Sequence, residues 1–244
     1  MADVRYPSQT QAQVAIDQGL RRYMLKVYNY MTGGLVITAL AAVGTYMAAV
    51  DQTGTGLTAF GQTLFRGPMV WVLMFAQLGI VFYLSFRVQK MSVAGAQLAF
   101  WAYAALTGVT FASLGLVYTH ASIARVFLIT AATFGAMSLY GYTTRRDLTG
   151  MGSFLFMGLI GLIIASVVNI FLASSAMSWL LSVVGVGIFI GLTAYDTQKI
   201  KEMYFEGDDV LVMGRKAIMG ALSLYLDFIN LFLQLLRLMG SSRN

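Results

Sequence analysis

Long apolar stretches separated by short polar segments make up almost the whole chain. Seven of them hold enough consecutive apolar residues to cross a bilayer as helices, which takes about 20 residues. They lie at residues 27–49, 69–86, 93–118, 123–142, 151–172, 177–197 and 217–239. Because a helix satisfies its backbone hydrogen bonds internally, the pattern predicts an all-α integral membrane protein with seven transmembrane helices.

The last stretch differs from the others because polar side chains recur along it. Ser223, Asp227, Asn230, Gln234 and Arg237 follow one another at spacings of four, three, four and three residues, which places them on one face of a helix. We call this row the polar seam. An unsatisfied polar group in lipid is costly, so the seam must face other helices or water, and the last helix is predicted to be the hub of the bundle.

The members of the polar seam differ in what they indicate. Ser223, Asn230 and Gln234 have a structural interpretation, since such side chains commonly hold membrane helices together. A carboxyl group is a costly way to hold helices together inside a membrane. Asp227 is therefore the candidate functional residue of the seam.

Composition narrows the class of protein further. Of the 244 residues, 58% are hydrophobic and only 11% are charged, well below the charged share of a soluble protein. Cysteine is absent and His120 is the only histidine, which excludes disulfides and cysteine zinc sites. The sequence contains no HExxH, GxSxG or CxxC motif, so we predict neither an enzyme nor a bound cofactor.

Basic residues are distributed unevenly between the two sides of the membrane that the seven stretches define. Four of the 16 lie on one side, at Arg66, Arg125, Arg237 and Arg243, and the other 12 share the side of the N-terminus. The positive-inside rule then places the N-terminus in the cytoplasm and the C-terminus outside. The net charge of +6 thus indicates membrane orientation and not binding to nucleic acid.

Three segments follow from this arrangement. Residues 1–26 are predicted to form a cytoplasmic N-terminal tail at the membrane surface, helical from Gln11. Residues 27–239 form the predicted seven-helix transmembrane domain, and 240–244 a short external C-terminal tail. The connection at residues 53–67 is rich in glycine and threonine. It is predicted to be a flexible external loop.

Only two of the ten acidic residues lie inside predicted transmembrane helices, and these are Asp196 and Asp227. Their helices are consecutive, so an antiparallel hairpin can bring the two carboxyl groups together. Asp227 lies about 15 Å from the predicted start of its helix, so the pair requires the last helix to sit lower than this boundary suggests. Two carboxyl groups in a low-dielectric site cannot both ionise cheaply, and we expect them to share a proton as a pH-dependent latch.

Ionisation of such a pair would separate the two carboxylates and offer oxygen ligands suited to Ca²⁺. Ser223 and Asn230 lie on the same helix face as Asp227 and could add further oxygens. The cations expected at the level of Asp196 are Arg87 and Lys90, at the end of the second helix. Arg87 directly follows the apolar stretch and is the preferred latch partner. An inert ion pair between Asp196 and Arg87 is the structural alternative.

Two segments resemble the signature segments of a known family. GLTAYDTQKIK at Gly191–Lys201 and ALSLYLDFINLFLQLLR at Ala221–Arg237 are similar to those of the Bax inhibitor family, also called transmembrane Bax inhibitor motif proteins. The stretch AYAALTGVTFAS at Ala102–Ser113 fits less closely. The N-terminal tail and the distribution of basic residues suggest a bacterial member in the inner membrane.

The resemblance implies six helices packed around a central seventh and a pH-sensitive Ca²⁺ leak. Its latch is a pair of aspartates in the last two helices, which corresponds to Asp196 and Asp227 here. The family's arginine in the second helix corresponds most closely to Arg87, with Lys90 as the competing position. Some bacterial relatives are instead linked to a membrane-bound AAA protease, as substrate or modulator.

Three functions therefore compete at this point. The first is a proton-gated Ca²⁺ leak through Asp196 and Asp227. The second is an interaction protein that modulates a membrane-bound protease through its cytoplasmic surfaces. The third, an intramembrane aspartyl protease, is disfavoured because a Gly-x-Gly-Asp partner for Tyr195-Asp196 is missing.

Overall fold

The computed structural model describes residues 9–51 and 56–243, with side chains from residue 17 onwards. Within these residues every regular element of secondary structure is a helix. The helices are α1 (Gln9–Ala49), α2 (Ala59–Arg66), α3 (Met69–Arg87), α4 (Val93–Phe111), α5 (Leu114–Val117), α6 (His120–Thr143), α7 (Thr149–Leu172), α8 (Ser175–Glu202) and α9 (Val210–Met239). A 3₁₀ turn, Val88–Lys90, continues α3.

The predicted count of seven membrane-spanning helices is confirmed for the described part of the chain. The spans are α1 from Asp17, α3 with its 3₁₀ turn, α4 with α5, and each of α6 to α9. The third span is interrupted near its end, where the Ser113 hydroxyl donates to the carbonyl oxygen of Thr110 (2.7 Å) and α5 restarts one turn later. The connection from the third to the fourth span is as short as predicted, because α5 ends at Val117 and α6 begins at His120.

Polar side chains mark where several helices begin. The side-chain oxygens of Ser92, Thr119, Ser174 and Asp209 each accept a hydrogen bond from a backbone N–H in the first turn of α4, α6, α8 and α9. The first turn of a helix has no backbone partner for these N–H groups, so each cap fixes a boundary.

Helix α1 begins far ahead of its predicted apolar boundary. It is continuous from Gln9 to Ala49, and the predicted division between tail and membrane domain at residues 26 and 27 falls inside it. Tyr23 and Met24 are buried in the bundle, and the ring of Tyr23 lies 5.8 Å from that of Tyr204. Residues 1–8 of the predicted tail lie outside the described residues.

Two segments outside the predicted spans make defined contacts. The loop at 53–67 contains α2, which is capped by Thr58 and packs on α1 and α3, so the prediction of a flexible loop is wrong for residues 59–66. The C-terminal segment binds the end of the bundle, where the Thr119 N–H donates to the Ser241 carbonyl (3.1 Å) and the Arg243 N–H to that of Val117 (2.8 Å).

Helix α9 is the most deeply buried of the seven spans. It contacts α1, α4, α6, α8 and the 3₁₀ turn, whereas α3 packs mainly on α4 and α7 on α8. Leu224, Tyr225 and Leu231 are fully enclosed. The interior position predicted from the polar seam is thus observed, and a complete ring of six helices around α9 stays a prediction.

Candidate functional site

The register between α8 and α9 decides which polar residues meet. Ile200 lies against Gly220, and Gln234 lies against Gly185. This antiparallel register places Asp196 approximately opposite Leu224, which is one turn, or about 5 Å, from Asp227. The depth difference anticipated from the sequence therefore closes, because the first turns of α9 extend past the end of α8.

Asp196 and Asp227 are brought together. Their carboxyl groups are close enough to interact directly across the α8–α9 interface. Asp227 is buried, with 5% of its surface exposed, whereas Asp196 is partly buried. Oδ2 of Asp227 has no hydrogen-bond partner in the described part of the chain. A buried oxygen without a partner is costly, and a proton held between the two carboxyl groups would satisfy it.

The predicted partnership between Arg87 and Asp196 is not formed in the described structure. Arg87 is exposed at the end of α3 and forms no ion pair with Asp196 in the described structure. The physical reason is the packing, because α3 lies mainly against α4 and not against α8. The competing cation Lys90 is also exposed. The cation that acts electrostatically on Asp196 is Lys199, one turn further along the same helix.

The remaining residues of the polar seam do not all join the aspartate pair. The Asn230 amide donates to the carbonyl oxygen of Leu226 in its own helix (2.8 Å). Gln234 packs against Gly185 of α8, and its buried Oε1 has no partner among the residues described. Ser223 is partly buried. None of these three side chains forms a hydrogen bond to another helix among the residues described, and their structural interpretation stays a prediction.

A chain of hydroxyl groups that ends at Thr197, the residue after Asp196, was not predicted from the sequence. The Tyr28 hydroxyl lies 2.5 Å from that of Ser138, which lies 2.9 Å from that of Thr197. Three helices, α1, α6 and α8, meet at these contacts. Thr193 and Thr197 stand one turn apart in α8, with Thr197 next to Asp196 and Thr193 within one turn of it, and this spacing was the available signal.

Gln198 is a second side chain that the sequence did not single out. It is buried, with 7% of its surface exposed. Its Oε1 accepts from the Leu148 N–H and its Nε2 donates to the Arg146 carbonyl, both at 2.8 Å. Gln198 thereby anchors the connection between α6 and α7 to α8, two residues from Asp196.

The donor set limits what the pair can bind. Among the described residues no group of three or more histidine, cysteine, aspartate or glutamate side chains could hold a metal ion. Ca²⁺ takes six to eight oxygens, so two carboxylates fit an ion in transit and not a tightly held one.

The fold defines a multi-pass α-helical membrane protein with two acidic residues paired inside the bundle. The sequence pattern of the family described as "Inhibitor of apoptosis-promoting Bax1" matches residues 20–244. The chain belongs to this family, which confirms the resemblance carried by Gly191–Lys201 and Ala221–Arg237.

Several bacterial proteins are similar to the chain over nearly its whole length. "Inner membrane protein YbhL" of Escherichia coli (strain K12) is 49% identical over 227 residues, covering 92% of this chain and 94% of that protein. "Uncharacterized protein RP147" of Rickettsia prowazekii (strain Madrid E) is 50% identical over 235 residues, covering 96% of each. "Uncharacterized membrane protein SpyM3_0260" of Streptococcus pyogenes serotype M3 is 36% identical over 225 residues, with 92% and 94% covered.

Proposed function

We propose that the protein is a non-enzymatic, pH-sensitive Ca²⁺ leak of a bacterial inner membrane, gated by Asp196 and Asp227. The observation that carries this proposal is the buried Oδ2 of Asp227, which has no hydrogen-bond partner among the residues that the structure describes and lies near Asp196. A carboxylate in that position is stable only with a proton, a cation or water close by.

The gate follows from the electrostatics of the pair. With one shared proton, the two carboxyl groups attract each other and hold α8 against α9. Loss of that proton leaves two negative charges in a low-dielectric site, and their repulsion favours separation. The separated carboxylates are hard oxygen ligands for a passing Ca²⁺. The expected flux therefore rises with pH.

Lys199 modifies this gate in place of Arg87. Its ammonium group acts on Asp196 and also lies over the ring of Tyr195, 5.8 Å from the centroid. A nearby positive charge favours the ionised form of Asp196. Because the two carboxyl groups interact, they titrate as a pair, and the one shared proton lies between them.

The test is Ca²⁺ uptake into proteoliposomes from mildly acidic to mildly alkaline pH. We compare the wild type with Asp227→Asn and Asp196→Asn, which keep the shape of the side chain and cannot ionise. Glu206→Gln is the matched control, since Glu206 is exposed in the connection between α8 and α9. Circular dichroism and size-exclusion profiles check that each variant is folded.

We expect uptake to rise with pH in the wild type and in Glu206→Gln, and to stay low at every pH in Asp227→Asn. Uptake with an unchanged pH dependence in Asp227→Asn would refute the latch. A wild type that passes no Ca²⁺ at any pH would refute the channel itself.

A second candidate function is contact with a membrane-bound AAA protease. The favouring observation is an apolar surface beside the end of α8, where Phe205, Val210 and Leu211 are 65%, 82% and 59% exposed. We expect Phe205→Ser to weaken co-purification of the protease while Ca²⁺ uptake is unchanged. Equal co-purification with Phe205→Ser and the wild type would remove this surface from consideration.

The proposed orientation has the start of α1 in the cytoplasm. Arg145, Arg146, Lys199 and Lys216 lie at the same end of the bundle as Arg21 by the direction of their helices. This is the side that the positive-inside rule assigns to the cytoplasm. Reporter fusions to the two termini test the assignment, and an active cytoplasmic reporter on the C-terminus would contradict it.

A further inference from the structure

Helices α1 and α6 both pack on α9 but hardly on each other. The space between them is a groove in the side of the bundle, which we call the lateral cleft. It has two adjoining sections of about 720 and 650 Å³, and Leu35, Phe127 and Phe228 border both sections. The floor of the cleft belongs to α9, whose Phe228 and Phe232 are buried.

The lining of the lateral cleft is almost wholly apolar. Val43 and Met47 of α1 face Leu128 of α6 in the section towards the start of α6. Leu25 and Met31 of α1 face Leu139 in the other section. Water gains little in an apolar space of this kind, and an empty space would deprive the lining of dispersion contacts. An apolar chain is therefore the ligand that fits.

The length of the cleft matches the membrane. An apolar part of its lining on α1 runs from Leu25 to Met47, which spans about 30 Å at 1.5 Å per residue, the thickness of the hydrocarbon core. The cleft also opens sideways between two spans, α1 and α6. Lipid therefore reaches it directly from the bilayer.

One end of the lateral cleft carries a positive charge. Arg21 borders the same section of the cleft as Tyr28 and Tyr142. Among the described residues that line the two sections, it is the one Asp, Glu, Lys or Arg side chain. It is exposed in the first turns of the α1 span. A guanidinium group at this level is placed to bind a phosphate group.

A hydrogen bond keeps the cleft at a defined width near this end. The hydroxyl groups of Tyr28 and Ser138 lie 2.5 Å apart and join α1 to α6. Both side chains border the same section as Arg21. The two walls of the cleft are thus joined beside its charged mouth.

We propose that the lateral cleft is a binding site for an anionic glycerophospholipid, with an acyl chain along α9 between α1 and α6 and the phosphate group at Arg21. The headgroup charge complements Arg21, and the acyl chain complements the apolar lining. No residue of the aspartate pair borders either section, so the site is separate from the proposed gate.

Native mass spectrometry of the purified protein in detergent with added phosphatidylglycerol tests the acyl-chain site. Gly135→Trp fills the cleft, because Gly135 borders it and a Cβ there meets no atom within 4 Å. Gly161→Trp is the matched control, since Gly161 of α7 is equally open and lies outside the cleft. We expect Gly135→Trp to lose most of the bound lipid and Gly161→Trp to keep it.

The headgroup site is tested with a pair of neighbouring arginines. Arg21 borders the cleft, whereas the exposed Arg22 does not. We expect Arg21→Gln to lower the preference for phosphatidylglycerol over phosphatidylcholine about fivefold, and Arg22→Gln to leave it unchanged.

Three results would overturn the proposal. One is equal retention of phosphatidylglycerol by Gly135→Trp and the wild type, and another is an equal loss in Gly161→Trp. The third is a dimer, or a complex with another protein, that excludes lipid and that Gly135→Trp disrupts. Such a result would show that a protein helix, and not a lipid, occupies the cleft. Each result is independent of whether the protein passes Ca²⁺.

Discussion

Helices α7 and α9 are both long and apolar, yet they occupy opposite environments. Of the 18 residues in the apolar stretch of α7 only 6% are buried inside the bundle, whereas 67% are buried in the corresponding stretch of α9. The more apolar of the two helices is α7, and it lies at the outside. The helix that carries the polar seam lies inside.

The difference shows how a bilayer inverts the sorting rule of soluble proteins. Lipid tails are as apolar as leucine, so burying leucine against another helix removes nothing from water. Polar groups instead decide which helix lies inside, because lipid offers them no hydrogen-bond partner. Helix α9 therefore lies inside because its side chains pack closely and its polar groups need partners, and not because it is more apolar than α7.

The largest expected effect comes from a close helix crossing in the interior. A Cβ at Gly141 of α6 would lie 2.2 Å from the carbonyl oxygen of Ala194 in α8. We expect Gly141→Leu to lower the free energy of unfolding by about 3 kcal/mol or more, because a backbone atom cannot move aside easily. Denaturant unfolding in mixed micelles measures it.

The outward side of α7 supplies the control for this variant. A Cβ at Gly161 would meet no atom within 4 Å, so Gly161→Leu should change the free energy of unfolding by less than about 0.5 kcal/mol. Equal losses in the two variants would show that α7 packs as closely as α6, and the contrast between interior and exterior helices would fail.

A truncated leucine gives the next largest effect. Leu224 of α9 is fully buried, whereas Ile170 of α7 is 76% exposed. We expect Leu224→Ala to lower the free energy of unfolding by about 2 kcal/mol. The loss comes from packing contacts alone, because inside a bilayer the leucine side chain is shielded from water in either case. Ile170→Ala should cost almost nothing in the same unfolding measurement, and a cost equal to that of Leu224→Ala would contradict the burial of α9.

A single buried hydroxyl group tests the polar side of the comparison. The Tyr225 hydroxyl of α9 lies 2.6 Å from that of Thr38. Tyr225→Phe removes this contact and should cost about 1 kcal/mol of unfolding free energy. Thermal unfolding in detergent measures the effect, with the half-exposed Tyr83 changed to Phe as control. A loss in Tyr225→Phe no larger than that in Tyr83→Phe would show that the interior contact contributes nothing measurable.

The smallest effect concerns the pH dependence at the start of α7. Oδ1 of Asp147 accepts from the Thr149 N–H (2.8 Å), and hydrogen bonds from the Thr149 side chain and backbone lower the pKa of Asp147. Since the pKa is lowered in the folded state, the stabilisation is present above the ordinary pKa of 3.8 and is lost as pH falls through the lowered value.

Carbon-13 NMR of the Asp147 carboxyl group follows this titration. We expect a midpoint below the ordinary value of 3.8. Thr149→Val removes the hydroxyl group and should shift the midpoint upwards, while the backbone hydrogen bond keeps part of the effect. A midpoint at or above the ordinary value in the wild type would show that the hydrogen bonds to Thr149 are not formed.

The fold was predictable where one physical requirement dominates. A stretch that crosses lipid must be helical, so the seven spans follow from the pattern of apolar residues. The continuity of the tail helix with the first span was missed because Tyr23 and Met24 are buried by contact with other elements, and not by apolar neighbours in sequence. Helix α2 was missed because its cap, Thr58, was taken as part of a flexible loop.

The candidate site was predictable in its acids and not in its cations. Asp196 and Asp227 stand out because carboxyl groups are rare inside membrane helices. Arg87 was chosen by its level along the second helix, but its partner depends on which helices are neighbours, and α3 packs on α4. Lys199 stands one helical turn from Asp196, a spacing that can be read from the sequence directly.

The sequence by itself determined the class of protein, the number of spans and the interior position of the last helix. These follow from the cost of polar groups in lipid, which acts on each segment separately. Only the tertiary structure decided the register that brings Asp227 to Asp196, the gap between α1 and α6, and the place of α3 beside α4. Such features depend on how side chains from distant segments fit against one another, because in a bilayer close packing provides the contacts that select one arrangement of helices.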